Sequence, residues 1–111
     1  MSGSLAAVVV GPDPDDLGHA LEDQGVAVAY ASGTGARSAL EAAGIADADL
    51  LVVTDVGLST CIPVATELAP DLRIVVYSRD SIPEFARPQA DLIVDPDLVG
   101  PDAMAEELAR D

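Results

Sequence analysis

Asp13 and Asp16 sit in the run GPDPDDLG, from Gly11 to Gly18. Asp55 follows Thr54 at the end of LLVVTD, just before Val56 and Gly57. Ser78 follows the apolar run LRIVVY. Carboxylate oxygens suit hard cations, so Asp13, Asp16 and Asp55 are candidate ligands for a divalent ion such as Mg or Ca. Gly11, Thr54, Gly57 and Ser78 complete a candidate set for a small ligand. The plainer reading of the acids is helix N-caps and salt-adapted surface, and it is preferred. His19 and Cys61 are the single residues of their kinds and lie far apart in sequence. No nucleophile–base pair can be assembled from them, so an enzyme is the least supported class. No P-loop, G-x-S-x-G elbow or zinc set occurs.

These residues need elements to position them. Leu50, Leu51, Val52 and Val53 form an apolar run without alternation, the pattern of a strand buried on both faces of a parallel sheet. The run predicts the central strand. Further strands are expected at Leu5–Val10, Val26–Ala31, Leu72–Tyr77 and Leu92–Val94. Helices are expected between them. The first is capped by Asp13 or Asp15 and ends at Gly25. The second follows a turn at Ser32–Gly35 and closes at Gly44. The third starts near Thr60 to Ile62, because Pro63 fits only a first turn. A brief helix is expected over Ile82–Arg87. A last amphipathic helix opens at Pro101, with Met104, Ala105 and Leu108 inward.

Five β-α units imply one α/β domain with a five-stranded parallel sheet. Right-handed crossovers give the order 2-1-3-4-5 with helices on both faces, a Rossmann-like or flavodoxin-like three-layer sandwich. Strands 1 and 3 then flank the switch point. The loops Gly11–Asp16 and Thr54–Gly57 form the crevice where ligands bind in such sheets.

Composition bounds the partners. Twenty Asp and Glu face five Arg and no Lys, for a net charge of −15. That field repels nucleic acid and anionic lipid. The acids are spread along the chain rather than blocked into a tail that would bind a basic partner. The spread favours adaptation to molar salt, where the Debye length shrinks to about 3 Å. A cytoplasmic protein of a salt-accumulating microbe, a haloarchaeon, is expected. No apolar run reaches membrane-spanning length, and Met1–Ser4 has no basic region of the kind that opens a secretory signal. Lone Cys61 excludes an internal disulfide and reads as a small buried apolar residue.

The run SALEAAGIADADLLVVTD resembles the segment through the Thr-Asp strand end of regulator-of-potassium-conductance (RCK, TrkA-N type) domains. PDLRIVVYSRD and QADLIVDPDLVG resemble the next two strands of that family, and VVVG its opening. The resemblance implies a Rossmann-like fold. The family cradles a dinucleotide pyrophosphate on a G-x-G-x-x-G loop. Here Gly11 holds the first position, but Asp13 and Asp16 hold the second and third. A side chain blocks the backbone approach, and a carboxylate stands where phosphate would sit. The acid the family places after strand 2 is also missing at Tyr30–Ser32.

Response-regulator receivers share the topology. They place acids after strand 1, a phosphorylatable Asp after strand 3, Ser or Thr after strand 4 and Lys after strand 5. Asp13 with Asp15 or Asp16, then Asp55 and Ser78, match three of these; Asp95 stands in place of the Lys. Small haloarchaeal chains similar to this one have been labelled CTP synthetase. That activity needs phosphate-binding Lys and a Cys-His-Glu glutaminase set, which a Lys-free chain with one His does not supply.

The leading expectation is a non-enzymatic regulatory or interaction domain. It has lost the dinucleotide loop and works by self-association or by docking a protein partner through a helix face or sheet edge. A small-ligand or divalent-cation sensor and a divergent receiver are the alternatives.

Overall fold

A computed structural model describes residues 5–31, 33 and 36–110. Its strands are β1 (Ala6–Val10), β2 (Ala27–Ala31), β3 (Leu50–Val53), β4 (Arg73–Tyr77) and β5 (Leu92–Val94). All pair in parallel, in the order β2-β1-β3-β4-β5. The expected topology is observed. The helices are α1 (Leu17–Asp23), α2 (Arg37–Ala42), α3 (Cys61–Leu68) and α4 (Pro101–Ala109).

Alternation of side chains sorts the central strands into two cores. Val8 and Val10 of β1, Leu51 and Val53 of β3, and Ile74 and Val76 of β4 meet Leu40 of α2 and Cys61, Ile62 and Ala65 of α3. On the other face, Ala7, Val9, Leu50, Val52, Val75 and Tyr77 meet Leu17 and Leu21 of α1 and Met104 and Leu108 of α4. All four residues of β3 are buried, which is why its sequence has no polar phase. Each fully buried Val or Leu contributes roughly 1.5–3 kcal/mol. The Tyr77 hydroxyl donates to the Val99 carbonyl at 2.6 Å, satisfying the polar end of a ring inside the second core.

Helix ends follow the sequence signals. Gly25 adopts a left-handed φ of 87° after α1, and the Val26 N–H reaches back to the Leu21 carbonyl at 3.0 Å. That is a glycine C-terminal cap closing onto β2. Pro63 is the third residue of α3, inside its first turn, and Pro101 is the first residue of α4. Asp49 accepts the Ala6 N–H at 2.9 Å, and Asp91 accepts the Ile74 N–H at 2.7 Å. Each caps the opening amide region of the neighbouring strand.

The helix expected over Ile82–Arg87 is not formed. Ala86 and Arg87 both donate to the Pro83 carbonyl, and a short 3-10 turn covers Arg87–Gln89. Pro88 has no N–H to extend an i to i−4 ladder, so the segment stops at one turn. The sheet face over β5 therefore carries less helix than a full β-α unit would supply. Of the turn expected at Ser32–Gly35, residues 32, 34 and 35 lie outside the described residues.

Candidate functional site

The carboxyl ends of β1, β3, β4 and β5 carry the candidate residues. After β1 the chain turns sharply at Gly11, with φ 114°. A Cβ there would collide with the Thr54 hydroxyl and lie 3.2 Å from the Asp55 amide nitrogen. Gly11 is thus required by the close approach of two backbones, not by a ligand. Thr54 fixes this approach: its hydroxyl donates to the Val10 carbonyl and accepts the Asp13 N–H, each at 3.2 Å. The hydroxyl is spent inside the fold, and Thr54 is buried.

Asp13 lies against the opening of α1. Its carboxylate accepts the N–H of Leu17 at 2.9 Å and of Gly18 at 2.8 Å, the first two amides of α1. The expected capping by Asp13 is observed, although from three residues upstream of the cap position. Asp16 stands at that position and offers no side-chain bond to the helix. Asp13 and Asp16 both take left-handed backbone conformations, φ 52° and 59°. Such a conformation costs a non-glycine residue about 1 kcal/mol, and Asp tolerates it better than most. The buried bonds of Asp13 hold the loop in this shape.

Asp15, the alternative cap, is engaged elsewhere. Arg79, two residues past β4, lays both terminal nitrogens on the Asp15 carboxylate, at 3.0 and 3.1 Å. Its Nε donates to Asp97 at 2.9 Å. These bonds, to Asp15 first and Asp97 second, raise the guanidinium pKa above its ordinary value. One Arg thus ties the β1, β4 and β5 loops together across the crevice mouth. Sequence reasoning missed this residue. The available signal was an Arg at a strand end in a chain with five cations.

The other candidates lie along the same edge. Asp55 is exposed, and its carboxylate accepts the Gly57 N–H at 2.9 Å. Ser78 accepts the Asp80 N–H at 3.2 Å, and Asp95 accepts the Asp97 N–H at 2.8 Å. Both bonds are local turns. Among the described residues no three Asp, Glu, His or Cys side chains converge to hold a metal ion. The candidate cation ligands Asp13, Asp16 and Asp55 do not form such a group. The physical reason is that Asp13 turns inward to the helix amides, while Asp55 folds back onto its own loop.

Tyr30 of β2 is a further neighbour that sequence reasoning did not place here. A Cβ on Gly18 would strike its hydroxyl and ring and lie 3.1 Å from the Asp13 carboxylate, so Gly18 lets α1 pass under the ring. Burial first, and then the Asp13 charge, push the Tyr30 pKa up. His19 stands exposed on α1 beside Glu22 and Asp23. Elsewhere, a hollow of about 180 Å³ lies over β1 and β2, lined by aliphatic groups that include Ala6, Val8, Ala27, Ala29, Ala43 and Ala48. It lacks the convergent polar groups of a small-molecule site. No helix among the described residues is long and apolar enough to cross a membrane.

Residues 7–108 match the model of a family of unknown function, DUF7126. The chain belongs to this family. No curated protein matches the DUF7126 chain. Solved structures similar to it share its fold at low identity. An orphan response regulator of H. pylori superposes with a TM-score of 0.72 at 16% identity, covering 97% of this chain and 96% of that one. A pilus assembly-related protein of Burkholderia pseudomallei gives 0.68 at 19%, over 97% and 89%. The TrkA-N domain of the inner membrane protein ybaL of Escherichia coli gives 0.62 at 14%, over 97% and 96%. The Rossmann-like architecture implied by the TrkA-N resemblance is thus present, and the response regulator superposes with a higher TM-score than the TrkA-N domain.

Proposed function

We propose that this DUF7126 chain is a non-enzymatic regulatory or interaction domain. It uses a nucleotide-binding architecture as a scaffold, without the nucleotide. The observation that carries this reading is the Asp13 carboxylate on the Leu17 and Gly18 amides. A pyrophosphate at that helix end would need those donors and would meet a fixed negative charge. The Asp15–Arg79 fork adds a second internal closure, because it engages the crevice cation that could otherwise meet an anion. The acid excess supports work in a salt-rich cytoplasm, where −15 charges are screened. A thermal-shift screen in high salt tests the reading. NAD, ATP and cyclic dinucleotides should leave the melting temperature unchanged, and a stabilisation of several degrees would overturn it.

A divergent receiver is the second reading. Its support is the exposed Asp55 at the carboxyl end of β3, on a fold similar to that of a response regulator. Asp95 in the Lys position and the inward-turned Asp13 weigh against it. Acetyl phosphate treatment followed by intact mass distinguishes the two. A phosphoryl adduct that disappears in Asp55→Asn would establish the receiver. The sensor reading is tested by calorimetry with Mg²⁺ and Ca²⁺, where heat lost in Asp55→Asn would support it.

A further inference from the structure

We propose that the outer edge of β2 pairs with β2 of a second copy of this chain. The pairing is antiparallel about a two-fold axis at Ala29 and yields a continuous ten-stranded sheet. This deepens the interaction-domain reading and rests on it.

β2 lies at one end of the sheet, and its residues Ala27 to Tyr30 are exposed or partly exposed. The Ala27 N–H donates to the Leu5 carbonyl. By strand alternation Ala27, Ala29 and Ala31 bond toward β1, so the N–H and C=O of Val28 and Tyr30 point outward. An open strand edge is a template for another strand unless it is blunted by charge, Pro or shortness. The strand reads AVAYA, with none of these. The opposite edge is guarded: β5 has three residues and is flanked by Asp91 and Asp95.

Charge selects the occupant. Even where salt cuts the Debye length to about 3 Å, acids brought face to face at contact repel, and a chain of −15 carries them over most of its sequence. Residues 24–40 contain no Asp or Glu and one Arg, Arg37, and form the longest acid-free run in the sequence. β2 lies inside it. A second copy therefore meets least repulsion at this edge.

The register is self-complementary. With Ala29 on the axis, Val28 faces Tyr30 of the other copy, and the two exchange both backbone bonds. Tyr30 is 54% exposed, so much of its ring is open to an aromatic–β-branched pair with that Val28. The small Ala27, Ala29 and Ala31 side chains allow close approach on the opposite face.

The test is sedimentation velocity in multimolar KCl with three proteins. The native chain should run at twice 11.3 kDa. Val28→Pro should run as a monomer with an unchanged circular dichroism spectrum, because it removes an outward N–H that β1 does not use. Ala29→Cys in a Cys61→Ser background should form an intermolecular disulfide on mild oxidation, because directly opposed non-hydrogen-bonded residues lie about 4.5 Å apart. A chain that is monomeric across salt and protein concentration overturns the inference. So does a dimer that survives Val28→Pro and fails to cross-link through Ala29→Cys, although the interaction-domain reading then stands. Failure of that reading shows separately, as nucleotide stabilisation or a phosphoryl adduct.

Discussion

Asp15 and Arg79 form a two-pronged ion pair across 64 residues of sequence, with nitrogen–oxygen distances of 3.0 and 3.1 Å. The pair joins the loop after β1 to the loop after β4, and Asp97 extends it to the loop after β5. The mouth of the crevice is thereby closed by the protein's own charges. Because Arg79 is solvent-accessible, salt weakens the clamp. Arg79→Ala should lower the melting temperature, and the deficit should shrink as KCl rises. Arg79→Lys should recover only part of it, because an ammonium cannot match the fork. A melting series across KCl concentrations checks this; a deficit independent of salt would show that Arg79 acts by packing.

Asp13 carries the opening of α1. Replacing it with Ala removes the acceptor for the Leu17 and Gly18 amides and leaves a left-handed residue with no compensating bond. The expected loss is about 0.5–2 kcal/mol for the cap, with about 1 kcal/mol more from the backbone. Asp13→Asn keeps an acceptor and tolerates the conformation, so it should fall between native and Ala. Denaturant unfolding in high salt measures the order.

Gly11→Ala should be worse than its size suggests. The new Cβ meets the Thr54 hydroxyl, and φ stays at 114°. Forced displacement in a packed site costs roughly 1–3 kcal/mol, and an incompatible φ adds to it. Thr54→Ala in the same chain relieves the contact but not the backbone, so the double variant should recover stability only in part. Full recovery would show that φ imposes no strain here.

The fold was legible because its signals are local. Leu50–Val53 is apolar in every position since both faces of β3 are covered, and Pro101 marks the start of α4 as its fixed φ requires. The roles of Asp49 and Asp91 were not legible, because they bond Ala6 and Ile74 on neighbouring strands, 43 and 17 residues away. The crevice was read as a set of positions and missed as a network. Which way Asp13 turns depends on where α1 begins in space. The partners of Arg79 depend on three loops meeting. The brief helix expected over Ile82–Arg87 stops at one turn because Pro88 denies it the next hydrogen bond.

Cys61 gives a pH dependence whose sign follows from burial. The thiol sits in the core between the sheet and α3, and burial pushes its pKa from 9.0 up to about 11. The folded state therefore holds the proton that the unfolded chain releases above pH 9. The stability linked to this group is intact below pH 9, falls as pH rises from 9 to about 11, and levels off beyond. A gap of that size corresponds to roughly 2–3 kcal/mol. Cys61→Ala should lower stability at neutral pH by leaving a small cavity, yet remove this alkaline slope. Unfolding free energies at pH 8, 9, 10 and 11 for both chains decide it. An identical slope in the two would assign the alkaline loss to other groups, Tyr77 foremost, whose hydroxyl pKa is raised by burial and by Asp15.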